Sequence, residues 1–160
     1  MAALDHYIER SKLSDSLKPF YGINQTDRVQ IDEIIQQEFG DSQLDLIIDD
    51  ASHFLDETRQ CFNILFPKLR ENGAYVIEDW SWAHDTLDNE DDWPAFWPER
   101  EPLTKFVFEL ILACPTMPNL ISEVVIDRNS ATVWRGDAAI DEKHFDISIC
   151  SLARGRNLIA

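Results

Sequence analysis

Apolar positions early in the chain come in short runs. Residues 1–4 and 20–23 are mostly apolar and end on Asp5 and Asn24, which predicts two short strands. Thr26 and Asp27 offer a helix cap, Ile31, Ile34, Ile35 and Phe39 share one helical face, and Gly40 is the stop. Residues 44–48 are apolar apart from Asp45, as in a strand buried on both faces, and lead into Asp49-Asp50-Ala51-Ser52-His53. Asp56 can cap a helix with the stripe Cys61, Phe62, Leu65, Phe66 and Leu69, closed by Asn72-Gly73. Residues 74–77 form another strand, followed by Glu78-Asp79. Pro102 suits the first turn of a third helix, striped by Leu103, Phe106, Val107, Leu110, Ile111 and Cys114. Residues 121–126 and 131–135 read as a hairpin around the turn Asp127-Arg128-Asn129-Ser130, whereas residues 137–149 show no clear period. Strands alternating with helices predict an α/β fold. It is a Rossmann-like, mostly parallel sheet with helices on both faces and a C-terminal antiparallel hairpin.

Composition narrows the function without naming it. At 160 residues the chain suffices for one domain, and no internal repeat or linker divides it. The longest apolar run, residues 106–114, is interrupted by Glu109 and falls short of the roughly 20 residues a membrane span needs. The first ten residues lack the pattern of a secretion signal, so a cytoplasmic location is expected. Fourteen basic against thirty acidic residues give a formal charge of −16, which opposes binding to a phosphate backbone, so nucleic acid is not an expected partner. Cys61, Cys114 and Cys150 have no metal-pair spacing and read as free thiols in a reducing compartment.

The acids carry the chemical signal. In a parallel sheet the strand C-termini share one edge, where ligands bind. Asp49, Asp50, Glu78 and Asp79 all fall just past predicted strand ends. The intervening helix makes those strands expected neighbours, about 4.8 Å apart. Carboxylates so close repel one another unless a cation or hydrogen-bond donors compensate. Magnesium, which takes oxygen ligands and keeps positions open, would resolve the conflict. His53, three residues beyond Asp50, could act as a base on a substrate hydroxyl. The cluster as a whole also fits helix caps or cofactor hydrogen-bonders, and His53 taken alone fits a capping or packing role.

Three segments together carry a family resemblance: Ile47-Ile48-Asp49-Asp50-Ala51-Ser52-His53, Leu65-Phe66-Pro67-Lys68-Leu69 and Gly73-Ala74-Tyr75-Val76-Ile77-Glu78-Asp79. They resemble class I S-adenosylmethionine-dependent methyltransferases. The branch is that of metal-dependent sugar O-methyltransferases of macrolide antibiotics, with their cephalosporin-hydroxylase-like bacterial relatives. The resemblance covers residues 1–80 and is architectural beyond. It implies Asp50, Glu78 and Asp79 as magnesium ligands and His53 as general base. It also implies S-adenosylmethionine as methyl donor and a sugar or polyketide-type small molecule as acceptor. Asp5 is similar in position to the acid that holds the ribose hydroxyls, Asn24 and Gln25 would lie near the adenosine, and Asp49 would face the cofactor. A homo-oligomer is compatible with this reading.

Two departures stand out. Ala51 replaces the family's usual glycine. The first strand and the Gly-x-Gly-x-Gly loop are also missing: the nearest glycines, Gly22 and Gly40, have seventeen residues between them. Three accounts fit: a fragment or misassigned start, a gap closed by re-pairing or association, or a decayed and non-catalytic homologue. A metal-dependent hydrolase on the same scaffold is another class compatible with Asp50, Glu78 and Asp79. The acidic run 85–92 with Trp93, Phe96 and Trp97 is readable as a substrate lid or as a solvated loop, and Trp80 and Trp82 as pocket lining.

Overall fold

The computed structural model describes residues 2–84 and 100–157. Helix α1 spans Ala2–Arg10 and α2 spans Arg28–Phe39. Strand β1 (Leu44–Asp49) leads into α3 (Leu55–Leu65) and then β2 (Leu69–Glu78). Helix α4 (Thr104–Thr116) precedes β3 (Ile121–Ile126) and β4 (Ser130–Arg135), and a two-residue-per-strand hairpin, β5 (Leu152–Ala153) with β6 (Arg156–Asn157), follows. The main sheet has the order β1-β2-β4-β3, with β1–β2 parallel and the other two pairings antiparallel. No helix among the described residues is long and apolar enough to cross a membrane.

The first two expected strands are not formed. Residues 2–10 are helical: Leu4 and Ile8 are four apart on one helical face, and Ile8 is the buried one. Asp5 therefore sits in the first turn of α1 rather than at a strand end. Residues 20–24 are irregular, turned by Gly22 at φ 71° and by Asn24, whose Oδ1 accepts from the Thr26 amide and hydroxyl. Helix α2 begins as expected, with the Asp27 side chain accepting from the Gln30 amide, and ends at Gly40 with φ 59°.

Helix α3 is shorter than its apolar stripe. Pro67 converts residues 66–68 to a 3-10 turn, so Leu69 opens β2 instead of closing the helix. Asp56 lies in the first turn, not at the cap, and accepts from Arg59. Asn72-Gly73 falls inside β2, where the register with β1 slips between the pairs Leu44–Leu69 and Leu46–Ala74. Asn72 takes φ 59°, and a Cβ on Gly73 would meet the Arg70 carbonyl oxygen at 2.9 Å, so the irregularity needs a glycine there.

Strand alternation divides the sheet into two faces. Ile47, Tyr75, Ile77, Ala131 and Val133 point to one face and, with Phe62 and Phe66 and with Phe106 and Leu110 of α4, build the core. On the other face Leu46, Ile48, Val125 and Trp134 are substantially exposed. The expectation that β1 is buried on both faces is thus replaced by an edge strand with one covered side. Arg59 clamps the helices together, donating through Nε and Nη2 to the buried Glu109 of α4. Residues 137–149 pack irregularly, with Ala138, Ile140, Phe145 and Ile147 against the core.

Candidate metal and base site at the ends of β1 and β2

The parallel pairing sets the site. Asp49 is in register with Ile77, so the chain leaves β1 and β2 side by side, as the helix between them implied. Beyond these ends, Asp50, His53 and Asp79 bring one ligand atom each to within 4.8 Å of one another. His53 Nε2 lies 4.0 Å from Asp50 Oδ1, and the Trp82 ring meets the imidazole in a T-shaped contact at a centroid distance of 5.9 Å and 69°. Asp50 and Asp79 are exposed and His53 is half-buried. Ser52, His53 and Asp79 all have positive φ, between 51° and 57°, a conformation costly for residues with a Cβ.

Glu78 lies outside this trio. The alternation that turns Ile77 into the core directs Glu78 to the other face, opposite Ser130 of β4. Asp79 is fixed separately, since its amide donates to the Asn129 carbonyl at 2.7 Å. Trp80 Nε1 donates to the Asp127 carbonyl at 3.0 Å and Ser81 Oγ to that of Arg128 at 2.6 Å. The hairpin turn is itself organised by Asp127, which accepts from the amides of Asn129 and Ser130, and those bonds hold its carboxyl below the usual range. The sequence marked 127–130 only as a turn; its function as a strap for the Asp79 loop comes from β4 lying next to β2.

Of the residues expected on the cofactor side, Gln25 reaches the site loop, donating from Nε2 to Ser52 Oγ at 2.9 Å. Asn24 is engaged in its own turn, and Asp5 accepts from the Tyr21 hydroxyl at 3.0 Å. Asp49 points inward, 6% exposed, and accepts from the Tyr75 hydroxyl at 2.7 Å. Burial pushes the Asp49 carboxyl up, while hydrogen bonds from Tyr75, Cys61 and the Ala51 backbone act against that shift. Tyr75 was not singled out from sequence. A tyrosine within an apolar strand needs a partner for its hydroxyl, and the alternation Asp49–Ile77 with Ile47–Tyr75 identifies one. The proposed lid, residues 85–97 with Trp93, Phe96 and Trp97, lies outside the described residues.

In fold and in sequence the chain is similar to S-adenosylmethionine-dependent O-methyltransferases of macrolide sugars, one of them solved with Mg and SAH. Among solved structures, it superposes on the MycE methyltransferase of the mycinamycin biosynthetic pathway, in complex with Mg, SAH and mycinamycin VI. The TM-score is 0.52 and the identity 28%, over 71% of this chain and 30% of that one. Mycinamicin VI 2''-O-methyltransferase of Micromonospora griseorubida is 32% identical across 51% of this chain and 22% of its own length. Demethylmacrocin O-methyltransferase of Streptomyces fradiae is 41% identical across 36% and 13% respectively. The chain thus spans less than a third of the length of these relatives. No family model matches it.

Proposed function

We propose that the chain carries the metal-and-base part of an S-adenosylmethionine-dependent O-methyltransferase site. Its acceptor is a hydroxyl of a sugar or polyketide-type small molecule. The observation that carries this is the convergence of Asp50, His53 and Asp79 beyond two parallel strands, in a chain similar to proteins that methylate macrolide sugars. Two carboxylates within 4.8 Å of each other suit a hard divalent cation, and their mutual repulsion favours one, while the imidazole beside them is placed to act as a base. Asp50 and Asp79 would hold magnesium, whereas Glu78, directed to the other face of the sheet, stands outside the trio. Bound there, magnesium lowers the pKa of a substrate hydroxyl that it ligates.

The chain's own residues supply positioning and proton transfer. His53 takes the hydroxyl proton at Nε2, on the side of the ring that faces Asp50. Trp82 limits the rotation of that ring. Gln25, through Ser52, ties the loop that follows α1 to the site, which favours Asn24 and Gln25 as neighbours of the methyl donor. Asp5 belongs to the same N-terminal stretch through Tyr21. The Asp49 carboxylate is committed to Tyr75 and Ala51, so its contribution to the donor side runs through the loop that it holds.

Calorimetric titration of S-adenosylhomocysteine into the purified chain, with and without magnesium, tests the reading. Saturable binding that magnesium strengthens is expected. No heat of binding from a chain that is folded by circular dichroism refutes a donor site on these residues. If binding is seen, methylation of macrolide sugars by wild type and by His53→Ala follows as the activity test.

A further inference from the structure

Beneath the exposed trio lies a polar group that the proposed chemistry does not use. The Tyr75 ring is fully buried in the core, packed on Phe62 at a centroid distance of 4.8 Å. Its hydroxyl donates to Asp49 Oδ2 at 2.7 Å, with the Cys61 sulfur 3.5 Å away. The Asp49 carboxylate also accepts from the backbone N–H of Ala51. The Ala51 carbonyl in turn accepts from the His53 amide at 2.8 Å. A continuous path therefore runs from a rigid core ring to the residue before Asp50 and to the backbone of His53. The loop along that path has two consecutive residues, Ser52 and His53, at positive φ, so it needs fixed partners to hold its shape.

We propose that Tyr75 is a positioning residue for the site: through Asp49 it fixes the 50–53 loop, and so sets where the Asp50 carboxylate and the His53 imidazole stand. The inference rests on the reading of Asp50 and His53 given above. Residues that orient ligands from behind are worth about 10- to 100-fold in metal affinity in other proteins. Tyr75 touches neither substrate nor cation, and its effect is transmitted by the hydrogen bonds that Asp49 accepts from its hydroxyl and from the Ala51 backbone.

The test compares Tyr75→Phe with Phe62→Leu, which disturbs the packing of the same ring but leaves its hydroxyl in place. Two signals are read on the full chain. The first is the proton resonance of the His53 imidazole, which the Trp82 ring beside it shifts. The second is affinity for Mn2+ added alone, from water-proton relaxation. Tyr75→Phe is expected to move the His53 resonance and to weaken Mn2+ binding about tenfold, the lower end for such partners. Phe62→Leu is expected to lower stability without either change. A His53 resonance unmoved by Tyr75→Phe, or moved equally by Phe62→Leu, overturns the proposal. If the wild type takes up no Mn2+, the metal reading fails by itself and the His53 resonance still decides the positioning role. Should Tyr75→Phe not fold, Asp49→Asn keeps the side-chain shape and replaces one accepting oxygen with an amide nitrogen that cannot accept; the same displacement of His53 is expected, and its absence overturns the proposal.

Discussion

Replacing Asp50 with asparagine should change the sign of its effect on stability according to whether magnesium is present. The Asp50 and Asp79 oxygens lie within 4.8 Å of each other on exposed side chains. At the dielectric of water, two unit charges at that distance repel by about 0.9 kcal/mol, and salt reduces the figure further. Asp50→Asn keeps the shape and removes the charge, so in a metal chelator it should stabilise the chain by roughly 0.5–1 kcal/mol. For a domain of this size that raises the melting temperature by about 1–4 °C.

With magnesium the order reverses. At a metal concentration ten times its dissociation constant, linkage stabilises the wild type by about 1.4 kcal/mol, while a variant without the ligand gains little. Thermal melts of both proteins, in chelator and across a magnesium series, read all four states. Equal magnesium shifts in the two proteins, or an asparagine variant less stable than wild type in chelator, would refute the reasoning that these carboxylates are held together for a cation.

Four further outcomes are expected. Burial pushes the Cys61 thiol up to about 12, so it should resist alkylation in the native state at pH 8 and react once the chain is unfolded. A folded pKa raised above the unfolded value gives stability that is complete below about pH 9 and declines as pH rises toward 12. Relative to Cys61→Ala, the wild type should lose on the order of 4 kcal/mol across that range, read from urea melts at stepped pH. Arg59→Leu strands the buried Glu109 carboxylate and should cost about 3–5 kcal/mol, whereas Arg59→Leu with Glu109→Leu should recover most of it; a single variant within 1 kcal/mol of wild type in urea melts would contradict the ion-pair argument. The β1 edge, beside which the described residues place no strand, and the exposed Leu46 and Ile48 favour association of copies, opposed by the net charge of −16. Sedimentation should show association that grows with salt and falls in Leu46→Lys/Ile48→Lys.

The adjacency of β1 and β2 was legible because a short apolar run, a striped helix and a second apolar run leave few other arrangements. The placing of Asp50 and Asp79 just past their ends was legible too, since both strands point the same way, but the meeting of all four acids was not what formed. The first ten residues were not legible, because an apolar run of four is compatible with either a strand or a helix turn; only Ile8, one turn beyond Leu4, distinguishes them. Pro67 was the cue that the stripe of α3 stops before Leu69, and periodicity alone overran it. Leu46 and Ile48 read as buried because their composition suits a central strand, yet the described residues place no strand beside β1 on its free edge.

Residue parity explains which acids meet. On β1 the inward position is Asp49 and on β2 it is Ile77, so the following residues, Asp50 and Glu78, begin on the opposite side. A trio forms across the strand ends only because both chains then turn sharply, at Ser52-His53 and at Asp79, each with positive φ. Sequence spacing cannot express such turns at residues other than glycine, and for this reason His53 joins the carboxylates while Glu78 stands apart. Like charges and unfavourable backbone both lower the stability of the ligand-free loops. Their persistence depends on the partners behind them: Tyr75 and Asp49 for one loop, and the Asp127–Ser130 turn for the other. A cation held by Asp50 and Asp79 would join two loops already fixed, one through Tyr75 and Asp49 and the other by the β3–β4 turn, needing little further ordering to bind.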